Sequence, residues 1–161
     1  MTANKKYYAG IGSRETPQDV LDLMTRIAKG LERKHYRLRS GGALGADSAF
    51  QAGAVHMDIY LGKETSSLWT NVFTDFFHPN PSALKDYGRK LMNRNAMQIL
   101  GRWGDNPVDF VVCWTKDGKA SGGTGHALRI AEYYNIPVFN LKNEGALKDL
   151  KEFVNGKQKA S

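Results

Sequence analysis

The chain has 161 residues, 41% of them hydrophobic and 24% charged, a composition that excludes an extended disordered chain and suits a folded domain with a full-sized core. No apolar run reaches the roughly 18–20 residues of a membrane-spanning helix, and the start, MTANKKYYAG, has no signal-peptide core. The formal net charge of +7 attracts phosphate-bearing partners, whether polymers or small molecules, although lysines near both ends supply part of it.

Cys113 is the one cysteine, so no intrachain disulfide can form, and a cytoplasmic protein is expected.

In chain order, KYYAGIGS (6–13) reads as a buried strand running into a tight turn. Residues 16–36 read as a helix, with Thr16 as N-cap, Pro17 at the first helical position, and Val20, Leu23, Met24, Ile27, Ala28 and Leu31 at helical spacing. YRLRS (36–40) is a second strand, SAFQAGAVH a helix of small residues, and MDIYLG a third strand. Residues 62–81 read as irregular, and their Trp69, Phe73, Phe76 and Phe77 as a covering flap, a partner surface or, favoured over these, a satellite hydrophobic cluster under a long loop. A helix is expected over 82–101, with Ser82 as N-cap and Gly101 past its end.

VDFVVCWT (108–115) is almost continuously apolar, as a strand covered on both faces must be. After the glycine-rich KDGKASGGTG come a helix (HALRIAEYYN), a strand (IPVFNL) and a last helix (EGALKDLKEFVN). Strand and helix alternate throughout, which predicts an α/β sandwich around a mainly parallel sheet of about five strands. The most apolar strands, the first and DFVVCW, are expected side by side at its centre.

Three loops follow predicted strands: GIGSRETP, SGGALGAD and ASGGTGHA. Loops at the carboxyl ends of parallel strands line the ligand crevice of such sheets, and the helix N-termini behind them favour phosphate. A nucleotide-like ligand is therefore expected across Gly12, Ser13 and Arg14, across Ser40, Gly41, Gly42 and Ala43, and across Gly122, Gly123, Thr124, Gly125 and His126. Arg14 would clamp a phosphate. Asp47 would accept from a ribose or base, Arg94 and Asn95 would reach in from the long helix, and Trp114 would stack on a base. His126 would donate to a phosphate or act as acid or base.

Neither a G-x-G-x-x-G fingerprint nor a P-loop is present, and no cofactor is expected. The four histidines are scattered, so no metal is expected either.

GIGSRETP, SGGALGADSAF, HPNPSALKDYGRKLMNRNAMQILG and DFVVCWTKDGKASGGTGHALRIAEYYNIPVFNL, in this order over residues 7–141, resemble the SLOG superfamily. That group includes the DNA-processing protein A (DprA) proteins and the cytokinin-activating "lonely guy" phosphoribohydrolases. The pattern is most similar to the small stand-alone DprA-like proteins often carried by phages. The resemblance implies a single Rossmann-like domain over 1–161 and a nucleotide-type ligand over the glycine loops. The phosphoribohydrolases carry P-G-G-x-G-T-x-x-E with a catalytic glutamate. Here Ser121 replaces the proline, His126 the threonine, and Arg129 stands where the glutamate should be.

Three readings follow. The leading one is capture of a nucleotide or nucleotide-derived molecule without chemistry, including sequestration of a defence signal. The second is cleavage or transfer at an N-glycosidic bond, with Asp47, Glu15 or Glu64 as candidate acid, base or nucleophile. The third is single-stranded DNA binding, expected to be weak and electrostatic. The aromatics of 68–79, together with the resemblance, also point to a homo-oligomer, a dimer.

Overall fold

The computed structural model describes residues 5–62 and 66–160. Five strands form one parallel sheet in the order β3-β2-β1-β4-β5: β1 (Lys6–Gly10), β2 (Tyr36–Ser40), β3 (Met57–Ile59), β4 (Phe110–Cys113) and β5 (Val138–Asn140). β1 lies at the centre beside β4, as the apolar content of both strands predicts. In register, Tyr8 stands beside Leu38 on one side and Phe110 on the other.

Alternate residues of each strand serve opposite faces. Tyr8, Leu38, Phe110 and Val112 meet α1 (Gln18–Arg33), α2 (Ala46–Gly53) and α6 (Ala146–Ala160) through Met24, Ala28, Phe50 and Leu150. Ala9, Val111 and Cys113 meet α4 (Asp86–Leu100) and α5 (Thr124–Tyr133), with α3 (Leu68–Phe77) packed behind them. The result is the three-layer, Rossmann-like sandwich expected from the alternation of elements. Each large apolar side chain buried in it, such as Phe50 or Phe110, contributes roughly 1.5–3 kcal/mol.

Three local expectations change. Residues 68–77 form a helix, α3, where the sequence suggested an irregular loop. Trp69, Phe73 and Phe77 recur every fourth residue and pack as one stripe against the core, and Ser67 and Thr70 close a capping box at the start. The aromatics do pack as a hydrophobic cluster, on the face of a helix rather than under an irregular loop.

The next helix begins at Asp86 rather than after Ser82. Pro81–Ala83 make a single 3-10 turn, and the extended Leu84 (ψ 129°) separates it from α4. Gly101 does end α4, at φ +82°. At α1, Pro17 occupies the capping position, because the Thr16 hydroxyl donates back to the Ser13 carbonyl instead.

Among the described residues no helix is long and apolar enough to cross a membrane.

Candidate functional site

The strand order reverses between β1 and β4, where a doubly wound sheet opens a crevice at its carboxyl edge. A crevice of about 1300 Å³ lies there. The loops after β1, β2 and β4 line it from the sheet side, and one face of α4 lines it from above.

The loop after β1 is a tight turn held by its own backbone. The Ser13 N–H donates to the Trp114 carbonyl (3.1 Å), and the Ser13 hydroxyl accepts from the Glu15 N–H (3.0 Å). Gly12 is there for packing: a Cβ on it would sit 2.7 Å from the Ala46 Cβ at the start of α2. The turn sends Arg14 into the crevice, and its side chain makes no hydrogen bond or ion pair among the described residues. Glu15 stands at the rim, 3.8 Å from the Lys116 Nζ.

In the loop after β2, Asp47 is buried within the first turn of α2, and its Oδ2 accepts the Ala43 N–H at 3.0 Å. The Gly41 N–H also bonds to this carboxylate, and Arg94 faces it. Burial raises the Asp47 carboxyl above the usual aspartate range, against the opposing pull of Arg94 and the two N–H groups. A Cβ on Gly41 would lie 2.7 Å from Arg94 Nε and 2.9 Å from Asp47 Oδ2. The glycine thus makes room for the Arg94 guanidinium and the Asp47 carboxylate to approach the loop. Gly42 sits at φ +73°, in the left-handed region that favours glycine. Two of the loop's N–H groups that the sequence assigned to a ligand are spent inside the loop.

The loop after β4 is different. Among the described residues no acceptor meets the N–H groups of Gly122, Gly123 and Thr124, whereas the Gly125 N–H bonds to the Ser121 carbonyl (3.0 Å). A Cβ built on Gly123 meets only Met92 Cε, at 4.0 Å. The Asn95 side-chain amide donates to the Gly123 carbonyl (2.9 Å), pinning the loop to α4. These free N–H groups stand at the positive end of the ten-residue α5, in the geometry that receives anions.

Four expected site residues lie away from the crevice lining. Ser40 is wholly buried, and its hydroxyl accepts from Gln51 Nε2 (2.8 Å). Trp114 continues the alternation of Phe110 and Val112 and packs in the core with them. Gly125 is tight against the Ala120 carbonyl, 2.8 Å from where its Cβ would be. His126 is fully buried, with neither ring nitrogen hydrogen-bonded and its ring 6.2 Å from that of His78. Burial, then Arg129 and His78, hold its pKa down to about 3, so it is neutral and a poor phosphate donor. Glu64 lies outside the described residues.

Arg129, where the phosphoribohydrolases carry glutamate, turns away and donates from Nε to the Phe77 carbonyl (2.8 Å).

The crevice also gathers residues that the sequence reading passed over. Tyr87, Lys90 and Gln98 share the crevice face of α4 with Arg94 and Asn95, at spacings of three and four. Once Arg94 is placed there, that spacing alone would have found them. Gln98 is wholly buried with both carboxamide atoms unpartnered. Arg14, Lys90, Arg94 and Lys116 set four cations against the carboxylates of Glu15 and Asp47.

A parallel five-stranded sheet between two helical layers, with a crevice at its switch point, defines a Rossmann-like fold. The solved structure of DNA processing protein A from Helicobacter pylori, described for its mode of single-stranded DNA binding, is similar over 97% of this chain and 81% of that chain. Its TM-score is 0.62 and its sequence identity 18%. No protein-family model matches the chain, and no curated protein does.

Proposed function

We propose that the crevice binds single-stranded DNA through its sugar–phosphate backbone. The observation that carries this reading is the pairing of unused N–H groups at Gly122–Thr124 with the unpaired guanidinium of Arg14 in one open, basic crevice. Phosphate is the ligand chemistry that satisfies both. A strand suits the site better than a lone small molecule, because about 1300 Å³ exceeds the roughly 300–1,000 Å³ of ordinary small-ligand pockets. The similar Helicobacter pylori protein binds single-stranded DNA, and a chain of net charge +7 favours a polyanion. This order reverses that of the sequence reading, in which a free nucleotide led.

A free nucleotide or nucleotide-derived signal is the second reading, favoured by a cradle of N–H groups large enough for one phosphate. Sequestration of such a molecule belongs to this reading. No carboxylate stands at the Arg129 position, which favours binding over hydrolysis in both cases.

The test is fluorescence anisotropy with labelled oligothymidylates of increasing length across a salt series, with unlabelled mononucleotides as competitors. A DNA-binding crevice gives affinity that grows with length and falls with salt. Competition by a mononucleotide at equal concentration would favour the second reading, and no binding by either ligand would end both.

A dimer remains part of the proposal. Leu68, Val72 and Phe76 leave one face of α3 apolar and exposed, continued by Tyr133 of α5. Light scattering at micromolar concentration that gives a monomer mass would refute it.

A further inference from the structure

The crevice is lined by cations and free N–H groups and also by exposed apolar side chains. Its phosphate-binding end is level with the C-terminal half of α4, because Asn95 is bonded to the Gly123 carbonyl. Tyr87 lies eight residues earlier on the same helix, about 12 Å away along the axis at 1.5 Å per residue. The lining also holds exposed apolar and aromatic side chains: Leu44 is 87% exposed, Tyr87 66% and Leu61 37%. Apolar side chains held open to water at the mouth of a charged crevice are the feature to explain.

Tyr87 is also unlike the other exposed tyrosines. Tyr133 packs its ring on Phe76 and Phe77, and Tyr134 stacks on Phe73. The Tyr87 ring has no aromatic neighbour and its hydroxyl no hydrogen bond among the described residues. Its ring is free, yet it stands close enough to Arg94 to act on its charge.

Resting on the DNA-binding reading above, we propose that Tyr87 is a base-stacking subsite of the crevice. The strand enters with a phosphate against Gly122–Thr124 and lays the base of a neighbouring unit on the Tyr87 ring. Arg94 and Lys90 bracket the backbone between. A free aromatic face beside cations is the arrangement that single-strand binders use for bases of any sequence.

The test compares a labelled oligothymidylate with an abasic strand of the same length, on wild type, Tyr87→Ala and Tyr87→Phe. Tyr87 is exposed on the first turn of α4, and thermal melting verifies that the variants fold. Wild type is expected to hold the base-bearing strand roughly 5- to 100-fold more tightly than the abasic one. Tyr87→Ala removes most of that preference and leaves abasic binding within about twofold, while Tyr87→Phe retains it. Equal affinity of wild type for the two strands, or an equal loss of both in Tyr87→Ala, overturns the subsite and leaves the phosphate reading standing. If neither strand binds wild type, the DNA reading falls and the subsite with it.

Discussion

The Asp47 carboxylate accepts the backbone N–H of Ala43 at 3.0 Å, and this bond assigns the second glycine loop an internal task. With Gly41 and Arg94, Asp47 completes a buried cluster that shapes the loop from within. Replacing Asp47 with alanine leaves Arg94 without its countercharge and two N–H groups without an acceptor. A loss of about 1–3 kcal/mol in unfolding free energy is expected from denaturant melts. A loss below about 1 kcal/mol would show the cluster to be incidental.

The Arg14 side chain makes no hydrogen bond or ion pair among the described residues, so its removal separates binding from folding. Arg14→Ala should melt with wild type and bind an oligothymidylate about 10- to 100-fold more weakly, the equivalent of roughly 1.5–3 kcal/mol for a charge-assisted contact. Unchanged affinity in a titration would remove Arg14 from the site.

The two glycine loops should respond differently to the same substitution. A Cβ at Gly123 enters open space with ordinary helical backbone (φ −64°), so Gly123→Val keeps the fold and fills the space the phosphate needs. Gly42→Val meets both a left-handed φ of +73° and Leu61 Cδ2 at 2.9 Å, so it destabilises the protein itself. Melting curves and binding isotherms side by side check this. A Gly123→Val protein that binds like wild type would place the phosphate elsewhere.

His126 sets a pH dependence with a definite sign. Its folded pKa of about 3 lies below the 6.5 of an unperturbed histidine, so the unfolded chain takes up a proton first as pH falls. Stability is complete above about pH 6.5 and declines below it, with a slope of at most about 1.4 kcal/mol per pH unit from this one group. Glu32, held at about 2 by His56 and two N–H groups, adds its loss only below the usual glutamate range. Melting between pH 7.5 and 5 should therefore flatten in His126→Leu, and an unaltered slope would acquit His126.

Gln98 carries an opposite cost. Its buried carboxamide has no partner, and such a group opposes folding by about 1–3 kcal/mol. Gln98→Met keeps the side chain's length and should raise the melting temperature. An equal or lower melting temperature would show that the amide is satisfied in solution.

The sequence by itself determined the architecture. Short apolar runs marked the strands and apolar spacing of about 3.6 the helices, the two most apolar strands became the sheet centre, and three glycine loops marked its carboxyl edge. α3 was legible in the spacing of Trp69, Phe73 and Phe77 but was hidden by its surroundings of Pro and Asn.

Only the tertiary structure decided which loop is free to bind. SGGALGAD and ASGGTGHA look alike as strings. The difference is made by Asp47, which reaches back to its own loop, and by Arg94, which arrives from a helix some fifty residues away. His126 and Trp114 follow the same logic: whether a polar or aromatic side chain meets ligand or core depends on which layer its strand or helix turns toward. Local sequence sets a residue's conformation, but neighbours distant in the chain set what its polar groups have left to give.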